Sequence, residues 1–296
     1  MEKDIDKFRE VGKIGAKIRE ESKSLVMSGT SFIDIAETIE QMIVEENCKP
    51  AFPVNISINN IAAHYTPETG SEAVLEDGVV KIDIGVELDG AIADTAYTID
   101  LSEKYSDLVK CSEDALSNAI AAIKPGVTVG SIGGIVEETA KSMGFKPISN
   151  LTGHMIETYD LHAGIEIPNV KTDEPYEFQP GDIFAVEPFI TNGAGYVVDL
   201  EQVEIFSLYM PAKIRMRQSR KIVEHVINNY GVLPFAERWV RKEFPSKLLV
   251  SAALKELLQN HFLKGYPVLR EGGNGIVSQS EHTILVTDSG CEILTK

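Results

Sequence analysis

Apolar positions recur at helical spacing from the start of the chain. Ile5, Phe8, Val11, Ile14, Ile18 and Leu25 predict a helix over residues 4–27, which Ser28-Gly29 stops. A second helix is expected over 31–46, with Thr30 or Ser31 as its N-cap. The pattern then turns strand-like at 54–59, 79–87 and 91–100. Helical spacing returns from Ser106 to Lys124-Pro125-Gly126 and again over 129–143, followed by strands near 148–156 and 182–190. After Val203-Glu204-Ile205-Phe206, helices are expected at 216–230, 234–243 and 246–262, punctuated by Pro211, Pro234 and Pro245. Strand character resumes at Tyr266 to Arg270, Ile276 to Val286 and Cys291 to Leu294.

This order repeats. Gly29, Ile35 and Lys49-Pro50 match Gly126, Ile132 and Lys146-Pro147 at one offset, 97 residues. Two similar α+β halves follow, residues 1–105 and 106–296, facing each other across a pseudo-twofold. A site between such halves draws ligands from both. Residues 208–265 read as a helical insertion in the second half; helices followed by a small hairpin give it a winged-helix-like shape.

The chemistry begins at Val79 to Ala96. Asp89-Gly90 is a strong hairpin signal, and the flanking strands carry Asp83 and Asp94. With Asp89-Gly90 as the turn, Asp94 lies opposite Gly85; with Leu88-Asp89, it faces Asp83 directly. Either register puts both carboxylates on one face. A solvated polar edge would tolerate that pair, whereas a buried face would need a cation to relieve repulsion and desolvation.

Composition narrows the class without naming a function. The chain has 296 residues, 43% apolar and 25% charged, as in a soluble globular protein. No stretch reaches the ~18 apolar residues of a membrane helix. The charged start, Met1-Glu2-Lys3-Asp4, is no secretory signal. Cys48, Cys111 and Cys291 are few and far apart, which fits free thiols in a reducing cytoplasm. A net charge of −17 argues against a broad nucleic-acid footprint and leaves room for a local basic patch.

Further metal-competent residues interrupt apolar runs: His64 in Ala62 to Thr66, His154 in Thr152-Gly153-His154, Glu187 between Val186 and Pro188, and Glu281 in Gln279-Ser280-Glu281-His282-Thr283. Each alone is commonly a satisfied polar residue at a strand end. Together, Asp83, Asp94, His154, Glu187 and Glu281 supply four carboxylates and one imidazole. That charge balances two divalent cations, and oxygen-rich donors favour Mn, Fe or Co over a structural zinc site. The chemistry implied is hydrolysis by a hydroxide bridging two metals. His225 and His261 fall on the inserted helices, where packing or solvation is expected. His282 should face away from Glu281.

The order Asp-(ten residues)-Asp, Thr-Gly-His, Ala-Val-Glu-Pro-Phe and Gln-Ser-Glu-His-Thr resembles the pita-bread metallopeptidases. Ala62-Ala63-His64-Tyr65-Thr66-Pro67 and the helical insertion between Glu187 and Glu281 are similar to the type 2 methionine aminopeptidase family of archaea and eukaryotes, as is a chain that begins directly at the catalytic domain. The resemblance covers essentially the whole chain. It implies an α+β pita-bread fold, a single catalytic domain over 1–296 with the subdomain 208–265 inserted, and removal of N-terminal methionine from nascent proteins and peptides before a small second residue. It implies two divalent ions (Co, Mn, Fe or Zn), with Asp83 holding one, His154 and Glu187 the other, and Asp94 and Glu281 bridging. Glu187 would accept the proton of the attacking water, His162 would contact the substrate carbonyl, and His64 would sit near the scissile amide nitrogen. Phe52 and Leu161 would line the methionine pocket. Thr152 stands where some members carry asparagine. A cytoplasmic monomer is expected, with no membrane and no direct nucleic-acid partner. Contact of the insertion with the ribosome is left open.

Two rivals share the fold. Xaa-Pro peptidases have the same five ligands but usually an extra N-terminal domain and no inserted helices. Non-catalytic pita-bread binding proteins typically lose metal ligands.

Overall fold

A computed structural model describes residues 3–296; Met1 and Glu2 of the charged N-terminus lie outside the described residues. The first helix, Ile5–Ser22, is capped by Asp4, whose carboxylate accepts from the Lys7 amide, and ends in a 3-10 turn at Lys23–Leu25. Ser31, not Thr30, caps the second helix, Phe32–Glu45.

The internal repeat runs deeper than the four sequence matches. The helices Phe32–Glu45 and Val129–Ser142, the short strands Lys49–Pro50 and Lys146–Pro147, and the strands Asn55–Ile58 and Thr152–Met155 recur at one offset. Each match has a physical task. Gly29 and Gly126 take φ values of 86° and 80°, where a side chain would be strained. Ile35 and Ile132 face the core of their own half at 1% and 0% exposure. Lys49 pairs with Glu87 while Lys146 pairs with Thr191, so continuing both ladders sets Asp83 and Glu187 at equivalent positions.

Val79–Leu88 and Ala91–Asp100 form the expected hairpin. Asp89 and Gly90 both adopt positive φ, 50° and 94°, as a type I′ turn requires. The register is therefore the first of the two alternatives, Gly85 opposite Asp94 and Asp83 opposite Ala96.

Elsewhere the strands differ from the expected ones. Residues 182–190 form two strands, Ile183–Val186 and Phe189–Thr191, broken at Glu187-Pro188 because proline offers no N–H to a ladder. Residues 276–286 likewise divide into Val277–Gln279 and His282–Val286, with Glu281 in the gap. In both cases the acidic residue sits where the backbone leaves one sheet for another, Phe189–Thr191 pairing with Val277–Gln279 and Ile183–Val186 with His282–Val286.

The two halves meet through hydroxyls. Thr283 Oγ accepts from the Asp94 amide and donates to the Asp94 carbonyl, both at 2.8 Å. Thr95 Oγ donates to the Glu281 carbonyl at 2.9 Å, and Thr98 Oγ to that of Gln279 at 2.6 Å. These bonds seat the strand carrying Asp94 against the segment carrying Glu281.

Between the strands Val197–Leu208 and Leu263–Glu271 lie the helices Arg217–Asn229, Glu237–Glu243 and Lys247–Gln259, which pack around their own apolar cluster of Ile222, Val226, Phe235, Val240, Ala253 and Leu257. The strand after these helices does not form a hairpin with the one that follows it. Leu263–Glu271 doubles back onto Val197–Leu208 and also pairs with Ile61–Ala63, just ahead of His64. His261 lies beyond the end of the last helix and not on it, at φ 56°. Among the described residues, no helix is long and apolar enough to cross a membrane.

Candidate metal centre

Every residue singled out from the sequence lines one cavity of about 200 Å³ between the two halves: Asp83, Asp94, His154, Glu187 and Glu281 with Phe52, His64, Leu161 and His162. Asp94, His154 and Glu281 are buried, and each offers one ligand atom within 4.8 Å of the others. His154 Nε2 lies 3.5 Å from Asp94 Oδ2 and 3.4 Å from Glu187 Oε1. The hairpin face carrying Asp83 and Asp94 is thus enclosed and not a solvated edge.

The electrostatics of this cluster are unfavourable on protein groups alone. Burial pushes Asp83, Glu187 and Glu281 well above the ordinary carboxylate range, and the charge of Asp94 adds to all three. Gln279 Nε2 donates to Asp83 Oδ2 at 3.3 Å and to Glu281 Oε2 at 3.4 Å. Asp83 Oδ1 and Asp94 Oδ1 are buried with no protein donor at all. Buried polar atoms are nearly always satisfied, so two orphaned carboxylate oxygens beside an imidazole nitrogen fit hard divalent cations.

Around the cluster, polar and apolar walls divide. His64 adopts φ 64°, a strained conformation for a side-chain-bearing residue, and its Nδ1 donates to the Pro267 carbonyl at 3.1 Å. That bond leaves Nε2 as the acceptor of a neutral ring, and burial lowers the His64 pKa against the opposing pull of the Pro267 bond. The His162 ring lies 4.3 Å from that of His154. On the apolar side, Phe52 lies against Gly85: a Cβ there would stand 2.3 Å from the ring.

Several neighbours carried no sequence signal. Gly85 looks like any strand glycine until Phe52 is seen over it. Ile205 and Tyr266 reach the cavity from the strands flanking the insertion, and Pro234 from a loop within it. Gln279 was findable, since it sits two residues from Glu281 on the same face. His282 faces the other way, toward Arg19 and Thr295. His225 packs between Tyr230 and Phe244 on the insertion, away from the cluster.

Two α+β halves enclosing buried carboxylates and a histidine define a metal-dependent hydrolase. The chain belongs to metallopeptidase family M24, whose sequence model matches residues 6–288. It is 47% identical over 292 residues to a methionine aminopeptidase of Methanocaldococcus jannaschii, covering 98% of each chain. Its fold is similar to the crystal structure of a methionine aminopeptidase from Rickettsia prowazekii, with a TM-score of 0.73, 22% identity and coverage of 100% and 98%. A prolidase from Pyrococcus furiosus shares the fold at a TM-score of 0.63 and 17% identity, but this chain covers only 64% of it. The fold is thus the α+β pita-bread fold of that family.

Proposed function

We propose that this enzyme releases the N-terminal methionine of peptides and nascent proteins. The observation that carries the reading is the juxtaposition, in one small cavity, of the carboxylate–histidine cluster with the apolar wall of Phe52 and Leu161. An unbranched thioether side chain needs only an apolar slot, while its free α-amine, one carbon removed from the scissile carbonyl, needs the acidic end.

In this reading Asp83, Asp94, His154, Glu187 and Glu281 hold two divalent ions (Co, Mn, Fe or Zn). When bound, such ions supply Lewis-acid polarisation of the carbonyl and activation of water near neutral pH. The protein groups do the rest. Glu187, at the open junction of two strands, takes the proton of the attacking water. His162 donates toward the carbonyl oxygen as charge develops there. His64, fixed by the Pro267 carbonyl, presents Nε2 to the scissile amide. Cavity depth limits the second residue to small side chains. Residues 208–265 act as an inserted subdomain of a single catalytic domain, and the enzyme works in the cytoplasm as a monomer.

The insertion also bears Lys213, Arg215, Arg217, Arg220 and Lys221, all exposed in a chain of net charge −17. Such a run suits contact with a polyanionic surface of the kind a ribosome offers to an enzyme that meets nascent chains.

The test is a cleavage panel with metal-loaded protein: Met-Gly-Met-Met against Gly-Pro and Xaa-Pro peptides. Methionine release, abolished by a chelator and restored by a divalent ion, is expected. Release of proline-linked residues without methionine would refute the assignment.

A further inference from the structure

The insertion is tied to the body by a buried ion pair that the proposed chemistry does not use. Arg238, at 2% exposure on the helix Glu237–Glu243, reaches Glu40, at 7% exposure on the helix Phe32–Glu45. Arg238 Nη2 donates to Glu40 Oε1, and Trp239 Nε1 donates to Glu40 Oε2 at 2.8 Å. The remaining bonds lead toward the cavity. Glu40 Oε1 also accepts from the Val54 amide at 3.2 Å. Arg238 Nη1 donates to Thr66 Oγ at 3.1 Å, and Thr66 Oγ donates to the Val54 carbonyl at 2.8 Å. Val54 is two residues past Phe52 and next to Asn55, which pairs with Asp83; Thr66 is two residues past His64. Four residues before Arg238, Pro234 itself lines the cavity.

We infer that Arg238 and Glu40 are positioning residues for methionine release: the insertion holds the Phe52 wall and the His64 backbone in place through one closed ring of hydrogen bonds. The inference rests on the proposed function. The physical case is that the pair is poorly built for stability alone. Burying two charges costs more than their attraction commonly returns, and apolar residues of similar volume often serve as well or better. Arg238 Nε is left buried without a partner, which adds to that cost. What apolar substitutes cannot supply is a directed bond to each of two segments that carry a cavity residue, from Glu40 to Val54 and from Arg238 to Thr66. A shift of ~1 Å in such segments can cost ~100-fold in rate without touching the chemistry.

The experiment uses the metal-loaded full chain with three variants: Arg238→Lys, Glu40→Gln, and the apolar pair Glu40→Leu/Arg238→Met. Folding is followed by emission of Trp239, the one tryptophan of the sequence, which reports directly on Glu40. Amide exchange is measured over residues 52–56 and 64–66, with Val79–Leu88 as the internal reference. Arg238→Lys retains charge but cannot serve both Glu40 and Thr66; it should speed exchange in both segments and lower kcat/KM for Met-Gly-Met-Met by about ten- to a hundred-fold. Glu40→Gln keeps the shape but only one acceptor oxygen and sets its amide NH2 against a donor, so it should speed exchange and lower activity in the same direction as Arg238→Lys, while the apolar pair should fold and lose activity like Arg238→Lys. Faster exchange with unchanged kinetic constants would overturn the positioning role, and unchanged exchange would overturn the clamp itself. Should the parent not release methionine, the exchange data still judge the clamp, and the failure belongs to the proposed function.

Discussion

Gly85→Ala isolates the apolar wall from the metal cluster. The added Cβ would stand 2.3 Å from Phe52 Cε1 and 2.4 Å from Cδ1, against an ordinary carbon contact of ~3.5–4.0 Å. The ring must therefore retreat by ~1 Å or more, yet Phe52 is only 7% exposed and packs within the core of the first half. Overpacking of this kind costs ~1–3 kcal/mol. In a chain of this size that corresponds to a fall of several degrees in Tm. Since the ring forms the proposed methionine wall, kcat/KM for methionyl peptides should drop by about ten- to a hundred-fold. Asp83 and Asp94 lie on the same hairpin but would hold the proposed metals through their own side chains, so bound metal should stay at the parent level. Thermal unfolding, metal content by elemental analysis and peptide kinetics on the same preparation are the assay. A variant with unchanged Tm and kinetic constants would refute the packing argument; one that lost metal would show that wall and cluster cannot be separated.

Asp94→Asn removes the charge that adds to burial in raising Asp83, Glu187 and Glu281, and should lower bound metal and abolish methionine release while leaving the protein folded; full activity in this variant would exclude the proposed centre. Away from the site, burial, with Glu237 and Glu68 nearby, lifts the Glu204 pKa to about 7. Because its folded pKa is the higher one, Glu204 costs stability increasingly as pH rises from the ordinary carboxylate range to about 7. Glu204→Gln should therefore stabilise the protein at pH 8 but not at pH 4, as read by urea unfolding; an equal gain at both would contradict this. Charge reversal at Arg215 and Arg217 should weaken salt-sensitive co-sedimentation with ribosomes while sparing peptide cleavage, and sedimentation that ignores salt and these charges would remove the polyanion reading.

Much of this was legible in the sequence, for identifiable reasons. Long periodic segments such as Phe32–Glu45 and the Asp89-Gly90 hairpin announce themselves locally, because period and turn chemistry are local properties. Asp83, Asp94, His154, Glu187 and Glu281 stood out as polar interruptions of apolar runs, and the structure brings them to one cavity. What stayed hidden depends on contacts between distant segments. Pro188 marks the break at Glu187 locally, but the passage from one sheet to another, there and at Glu281, is not encoded by neighbouring residues. The fit of Phe52 over Gly85 and the ring joining Arg238, Glu40, Val54 and Thr66 exist only after folding. The strand Leu263–Glu271 reads as half of a hairpin, yet its main partner precedes the whole insertion.

The proposed metal centre is tested most directly by anomalous diffraction from crystals loaded with manganese or cobalt. Two peaks ~3–4 Å apart among Asp83, Asp94, His154, Glu187 and Glu281 are expected. An absence of peaks at these five residues in an actively methionine-releasing preparation, or metal bound elsewhere, would contradict the proposed site.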